Sequence, residues 1–164
     1  MIQRLVRPVL LLLAGVAFSL VLLNRVQAGG SHYFPPVADP LVNAECGSCH
    51  LAFSPAMLPA RSWQALMGDL RNHFGDDASV DPVTAEKIRR YLVANAADAR
   101  GQRQGGRLLR GLAPERVPLR ITELPKWVSE HRELSARSWR DPKVRSRANC
   151  TACHADAALG YYED

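Results

Sequence analysis

The residues of this chain best able to do chemistry are its four cysteines, which lie in two pairs of identical spacing. In each pair two residues separate the cysteines, and a histidine directly follows the second cysteine. These residues are Cys46, Cys49 and His50 in the first set, and Cys150, Cys153 and His154 in the second. Each set is a C-x-x-C-H motif, which is typical of covalent haem attachment.

The spacing within each motif suits the chemistry of a porphyrin. Two thiols three positions apart can reach the two vinyl groups of one porphyrin and form thioethers with them. The next residue is then held beside the iron, and histidine is the usual proximal ligand in haem proteins. The sequence therefore predicts two covalently bound haem c groups, with His50 and His154 each as one axial ligand.

Three other uses of paired cysteines fit the sequence less well. Exported proteins often form disulfides, but a disulfide does not call for a histidine after each pair. Zinc sites also combine cysteine with histidine, although they do not require histidine directly after both pairs. A thioredoxin-like redox motif needs a strand–helix context, and no such pattern precedes Cys46 or Cys150.

The N-terminus has the pattern of a secretory signal peptide. Two arginines precede an apolar run over residues 8–23, and VQA at residues 26–28 offers small residues for signal peptidase. An uncleaved membrane anchor is the alternative, but the 16 apolar residues fall short of the roughly 20 that span a bilayer. The sequence predicts a signal peptide over residues 1–28, cleaved after Ala28, and a periplasmic protein.

The charge balance excludes one class of partner. The whole chain has 21 Lys and Arg against 16 Asp and Glu, a net charge of +5 with neutral histidine. Cleavage after Ala28 removes three arginines and no acid, which leaves 18 basic and 16 acidic residues and a net charge of +2. Neither an uninterrupted basic run nor an aromatic–basic stripe is present, so the sequence does not indicate nucleic-acid binding.

The elements around the first motif are predicted from capping signals and apolar spacing. Residues 29–40, rich in glycine and proline, predict an irregular lead-in. Ser62 predicts the N-cap of a helix whose apolar face continues to Phe74, and Gly75 predicts its end. A second helix is predicted from Asp81-Pro82 to about residues 97–100.

The second half is predicted to be less regular. The polar, glycine-rich residues 100–107 predict a boundary between two small haem-binding domains. Alternating apolar residues at 117–121 predict a short extended segment, and Pro125 starts a helix that is expected to reach Trp139. The predicted fold class is mainly α. The predicted domains are residues 29–100 and residues 101–164.

Histidine and methionine compete for the second axial position of the first haem. His73 lies three residues after Leu70 and shares the predicted apolar helix face with Met67, so both are candidates. Met57 is only seven residues from His50, and a loop that short does not readily reach the opposite porphyrin face. The sequence favours His73 over Met67.

His131 is the candidate for the second axial position of the second haem. It lies four residues after Trp127 and three before Leu134, which places all three on one predicted helix face. The second half contains no methionine. His32, the remaining histidine, lies in the lead-in and is expected at the surface.

Over roughly residues 40–164 the chain resembles the bacterial dihaem cytochrome c family known as DHC. The more specific signals are the H-F-G segment at residues 73–75 and the E-H-R-E segment at residues 130–133, at their separations from the two motifs. Further matches are Trp63, Trp127, Trp139 and Gly160.

The resemblance implies an exported electron carrier with bis-histidine ligation at both haems. His73 would serve the haem bound at His50, and His131 the haem bound at His154. The first domain would be similar to class I cytochromes c, and the second would have a less standard fold. Redox partners implied by the family are an oxygen-binding monohaem cytochrome and a membrane b-type cytochrome. Contact with a membrane is expected only if the N-terminal segment stays uncleaved.

Electron transfer without catalysis is therefore the predicted function, since two strong axial ligands leave no site for a substrate. Two alternatives need one open or displaceable axial site. One is a haem enzyme such as a small peroxidase or reductase, and the other is a gas-binding haem protein.

Overall fold

Short helices joined by turns make up the structure, a computed structural model that describes residues 32–163. The α-helices in this range are α1 (Pro40–Cys46), α2 (Ala60–Gly68), α3 (Pro82–Ala94), α4 (Arg103–Leu108), α5 (Pro125–Glu130) and α6 (Ala136–Trp139). Single turns of 3-10 helix cover Pro55–Met57, Leu70–Asn72, Ile121–Glu123, Cys150–Ala152 and Ala157–Leu159. The prediction of a mainly α fold is confirmed.

Extended pairing is limited to two isolated bridges within the described range. One joins Tyr33 to Tyr161 and the other joins His73 to Asp76. The segment at residues 117–121 forms no strand, because its alternating side chains Val117 and Leu119 are exposed and no second strand lies beside them. The short extended segment predicted at residues 117–121 is therefore not paired with another strand.

The predicted signal peptide, residues 1–28, lies outside the described residues. Across residues 32–163 no helix is both long enough and apolar enough to cross a membrane.

α1 and α3 begin in the same way, although only α3 was predicted. In each, an aspartate carboxylate accepts hydrogen bonds from two backbone N–H groups of the first turn, and a proline follows as the first helical residue. The aspartates are Asp39 and Asp81. This cap satisfies donors that the helix itself leaves unpaired, and it turns residues expected as an irregular lead-in into the helix that ends at Cys46.

The predicted cap and end of α2 are both wrong. The helix begins at Ala60, whose N–H donates to the Asp98 carboxylate at 2.8 Å, and Ser62 is fully buried inside the first turn. The carboxylate of Asp98, 38 residues away, therefore accepts a hydrogen bond at the start of this helix, where the local sequence predicted Ser62 as the cap. The helix also ends at Gly68 instead of Gly75, because Gly68 and Asp69 are both poor helix formers.

The helix predicted from Pro125 to Trp139 is broken in two. α5 ends at Glu130 with His131 as its C-cap. Ser135 then caps α6, because its side chain accepts a hydrogen bond from the Ser138 N–H. Serine at that position favours a new N-terminus over continuation of the helix.

The core joins elements from both sides of the predicted domain boundary. α4 contacts the 3-10 turn Pro55–Met57 of the first half. Residues 103–108 form α4 rather than a loose polar linker, and Leu108 is buried in the core. The buried cluster is Phe34, Val42, Ala56, Met57, Leu58, Trp63, Ile88, Leu92, Ala96, Leu108, Leu124 and Trp127. The division into residues 29–100 and 101–164 stays a prediction.

Gly105 lets α4 lie directly on the backbone before it. A Cβ added at this residue would lie 2.5 Å from the Ala97 Cα and 2.8 Å from its carbonyl carbon. These are backbone atoms, so no side-chain rotation relieves the clash. Gly106, the next residue of the same helix, has nothing within 4 Å of an added Cβ.

We expect Gly105→Ala to destabilise the protein and Gly106→Ala not to do so. Overpacking against a fixed backbone costs about 1–3 kcal/mol, which exceeds the ~1 kcal/mol that alanine gains over glycine in a helix. Denaturant unfolding of the purified protein, followed by circular dichroism, measures both free energies. Equal stability of the two variants would show that α4 does not lie closely against Ala97.

Candidate functional site

Each C-x-x-C-H motif is placed by a short helical element. Cys46 is the last residue of α1, and Cys150 opens the 3-10 turn Cys150–Ala152. The two cysteines of each motif are three residues apart, which is close to one helical turn, and this spacing allows both thiols to reach one planar group. None of the four cysteines forms a disulfide.

The structure brings His73 opposite His50. Their ring centroids are 6.2 Å apart and their planes differ by 15°. The sequence predicted His73 on a helix face. In the structure it instead follows the 3-10 turn Leu70–Asn72. The bridge with Asp76 holds it there, with the His73 N–H donating to the Asp76 carbonyl at 2.8 Å.

The second motif also has a histidine opposite its own, at the same distance but with a different angle between the rings. The rings of His131 and His154 lie 6.2 Å apart, and their planes are nearly perpendicular at 80°. His131 sits at the end of α5, where its N–H donates to the Trp127 carbonyl at 3.1 Å. The structure therefore pairs the same histidines that the sequence singled out for this motif.

The distance shared by the two pairs fits a metal ion between the rings. An imidazole nitrogen lies about 2.0–2.1 Å from a bound transition metal. With the half-width of each ring added, two opposed imidazoles on one metal put their centroids about 6 Å apart. The separation is too large for direct ring stacking and too small for a side chain to intervene.

Hydrogen bonds to backbone carbonyls determine which ring nitrogen of His50 and of His131 is left to bind a metal ion. His50 Nδ1 lies 2.8 Å from the Leu51 carbonyl oxygen, and His131 Nδ1 lies 2.9 Å from the Trp127 carbonyl oxygen. A carbonyl oxygen only accepts, so Nδ1 carries the hydrogen and Nε2 keeps a lone pair. Such a bond fixes the tautomer of a metal-binding histidine and its orientation.

His73 has the properties of a neutral imidazole, and one of its ring nitrogens lacks a partner among the described residues. Burial lowers the pKa of His73, the neighbouring His50 lowers it further, and Asp76 opposes the shift. Its Nδ1 is buried and has no hydrogen-bond partner among the described residues. A buried nitrogen without a protein partner indicates that another group completes this site.

Burial also affects one thiol of each motif. It raises the pKa of Cys46, with a smaller contribution from Glu45, and it raises the pKa of Cys150. The environment therefore disfavours thiolates at these two positions. A thioether carries no charge, so it suits both sites better than a thiolate would.

Aromatic rings contact all four histidines, and sequence reasoning missed Phe53 and Tyr162. Phe74 lies against His73 with ring centroids 4.8 Å apart. Phe53 stacks on His50 at 5.2 Å, and Trp127 stacks on His131 at 4.1 Å with a 15° angle between planes. Tyr162 packs edge-on against His154 at 5.7 Å. Burial raises the pKa of the Tyr162 hydroxyl well above its usual range.

Residues 32–34 and residues 160–162 are tied together beside the second pair. The Phe34 N–H donates to the Gly160 carbonyl at 2.8 Å, and the Tyr162 N–H donates to the His32 carbonyl at 3.2 Å. Gly160 has a φ of +90°, and a Cβ there would collide with the Phe34 carbonyl oxygen. The only local signal for this contact is a glycine directly before two tyrosines, which does not reveal its partner.

The other candidate ligands lie elsewhere. Met57 is 4% exposed in the core and Met67 packs against that core. His32 is near the surface, with Nε2 3.2 Å from a Glu130 carboxylate oxygen. Across residues 32–163, no group of three or more His, Cys, Asp or Glu side chains is arranged to hold a metal ion as zinc sites do.

Comparison with known families gives one match over most of the chain. The sequence model of the family described as dihaem cytochrome c matches residues 42–162. No curated protein matches the chain significantly.

Two solved structures are similar in both sequence and fold. A diheme cytochrome c from Rhodobacter sphaeroides is 52% identical, has a TM-score of 0.71, and covers 77% of this chain and 98% of that chain. A diheme cytochrome type c from Shewanella baltica OS155 is 36% identical, has a TM-score of 0.62, and covers 76% of this chain and 86% of that chain.

Proposed function

This chain belongs to the dihaem cytochrome c family and carries two covalently bound haem c groups, and on that premise we propose that it is an exported electron carrier with bis-histidine ligation at both irons. When bound, each haem supplies one iron that accepts and releases a single electron. The roles below belong to residues of this chain.

Cys46 and Cys49 hold the first haem through thioethers, and Cys150 and Cys153 hold the second. His50 and His73 are the axial ligands of the first iron. The axial ligands of the second iron are His154 and His131. These residues are supported by the C-x-x-C-H spacing and by the position of each histidine pair.

The observation that carries the proposal is the equal 6.2 Å separation in both pairs. An iron that receives an imidazole from each side has six ligands, so no position is left for a substrate or a gas. Two fixed nitrogen ligands also favour the same geometry in both oxidation states, which keeps the reorganisation on electron transfer small. This supports a carrier over a peroxidase, reductase or gas-binding protein.

The surrounding residues hold these ligands in place. Carbonyl oxygens of Leu51 and Trp127 fix the rings of His50 and His131. The Trp127 ring lies flat on His131 and is itself in contact with Trp139 at 5.8 Å. Bis-histidine ligation gives a lower reduction potential than histidine–methionine ligation, so we expect both potentials to be low to moderate.

The proposed location is the periplasm, reached through the signal peptide at residues 1–28. Support comes from the arginines, apolar run and VQA site of that segment, and from the oxidising compartments in which exported proteins work. The proposed partners are redox proteins, such as an oxygen-binding monohaem cytochrome or a membrane b-type cytochrome.

Removal of either proposed distal ligand should free one coordination position on its own iron and leave the other iron unchanged. We expect His73→Ala and His131→Ala each to convert about half of the haem to a high-spin form that binds carbon monoxide after reduction. Visible spectra with and without carbon monoxide measure this.

His32→Ala is the matched control, since His32 faces Glu130 and lies in neither pair. It should leave both haems low-spin and unreactive towards carbon monoxide. A low-spin second haem in His131→Ala would refute that ligand, and carbon monoxide binding by the unmodified protein would favour an enzyme or a gas-binding protein.

The two ring arrangements should give two different electron paramagnetic resonance signals in the oxidised protein. Nearly parallel imidazole planes, as at His50 and His73 with 15°, separate the energies of two iron d orbitals and produce a rhombic low-spin signal. Nearly perpendicular planes, as at His131 and His154 with 80°, keep these orbitals close in energy and produce a strongly axial signal.

Spectra of frozen oxidised protein should therefore contain one rhombic and one axial low-spin species in equal amounts. In His131→Ala the axial species should disappear while the rhombic species stays. Two identical rhombic signals would contradict the perpendicular arrangement of the second pair.

A further inference from the structure

The two halves of the chain carry opposite net charges. Residues 32–100 contain 6 Lys and Arg against 8 Asp and Glu, a net charge of −2. Residues 101–164 contain 12 against 8, a net charge of +4. The small overall charge therefore hides a strong asymmetry between the two haem-binding halves.

Much of the positive charge lies in residues 137–147, which we call the basic segment. It contains five cations and a single acid, Asp141. The cations, all of them exposed, are Arg137, Arg140, Lys143, Arg145 and Arg147. The Asp141 carboxylate is engaged locally, because it accepts a hydrogen bond from the Lys143 backbone N–H at 2.8 Å.

None of these five cations forms an ion pair with a carboxylate of residues 32–163. Several cations elsewhere do so, for example Arg61 with Asp98 and Arg89 with Glu86. The carboxylates of residues 32–163 therefore do not neutralise the charge of the basic segment.

The basic segment is anchored to the second haem-attachment motif. Val144 is buried, and the Asn149 side-chain amide donates to the carbonyls of Lys143 and Val144 at 3.3 and 3.1 Å. Asn149 directly precedes Cys150. The cations are thus held in a fixed place beside this motif.

The other end of the basic segment reaches the distal histidine. Trp139 contacts the His131 ring at 6.1 Å, and the Arg147 guanidinium lies 5.2 Å from the Trp139 ring centre. A cation within about 6 Å of an aromatic ring is attracted to its face. Unpaired positive charge therefore borders the second haem site from both its attachment side and its distal side.

We propose that the basic segment is a docking surface for an electron-transfer protein that presents a patch of carboxylates around its own redox centre. The proposal rests on the electron-carrier function proposed above and names the chemistry of one partner. Complementary charge steers a partner to the correct site and speeds association. Weak, short-lived redox complexes bury little area, so a short charged segment is large enough.

A protein partner fits this surface better than an anionic membrane. The cations border both sides of the second haem. A lipid surface bound to them would therefore cover the site at which electrons must leave or enter. A redox protein in the same place brings its own centre close to the haem. The negative net charge of residues 32–100 would repel the same acidic partner from the first haem.

The test uses reduced plant-type ferredoxin, an acidic one-electron donor, as the probe. One electron passes from its iron–sulfur cluster to a ferric haem, which becomes ferrous. Arg140→Glu/Lys143→Glu reverses two cations of the basic segment, and Lys87→Glu/Arg100→Glu makes the same change in net charge on exposed residues of the first half. Stopped-flow absorbance gives the second-order rate constant at low and high salt.

We expect the basic-segment variant to lose about tenfold in rate at low salt and most of its salt dependence. The matched variant should stay within about twofold of the unmodified protein. Unchanged low-spin spectra in both variants would show that the haem sites are intact.

The methyl viologen radical cation, a small cationic one-electron donor of low reduction potential that becomes the dication, separates this proposal from the proposed function. It should reduce both haems in every variant. If it fails with the unmodified protein, the electron-carrier function is wrong. If it succeeds while the two variants lose equally with ferredoxin, or neither loses, the docking surface is wrong.

Anionic vesicles of phosphatidylserine and phosphatidylcholine test the competing occupant. We expect no difference in sedimentation with vesicles between the unmodified protein and Arg140→Glu/Lys143→Glu. If that variant keeps its ferredoxin rate and loses only vesicle binding, the basic segment serves a membrane and the proposal is overturned.

Discussion

The structure depends on one constraint, which is that two imidazole rings in each half must face each other 6.2 Å apart. No direct ring contact stabilises that distance, so the protein has to hold each ring from behind. It does so with backbone carbonyls at His50 and His131 and with the backbone bridge at His73. Under the proposed ligation, an iron would meet ligands whose orientation is already set, as in metal sites whose ligands have supporting hydrogen bonds.

The core is arranged to serve this constraint rather than to form large packed layers. The helices within residues 32–163 have at most 13 residues and bury few side chains each. A porphyrin adds a large apolar plate that such a small core lacks. Trp127 shows the connection, since it belongs to the buried cluster and also lies flat on His131. The same side chain thus contributes to folding and positions a proposed ligand.

The parts predicted correctly from the sequence are those that local chemistry determines. The Asp81-Pro82 start of α3 needs only adjacent residues, as do the two C-x-x-C-H motifs. The start of α2 depends on Asp98, 38 residues from Ala60, and no local pattern contains that contact. His73 was predicted from its position on a helix face, but no helix is present there. A 3-10 turn and a backbone bridge to Asp76 determine its position instead. His73 thus faces His50 although the predicted helix is absent there, and its role as a ligand stays a prediction.

Charge adds a difference between two sites that otherwise follow the same design. Both histidine pairs have the same separation, yet one lies in a half with net charge −2 and the other in a half with +4. A carrier must both receive and pass on an electron, and identical surfaces at both haems would let either partner occupy either site. Unpaired cations fixed beside one motif by Asn149 make the two ends distinguishable to a charged partner. Such a difference gives the path through the molecule a direction without any change in ligation.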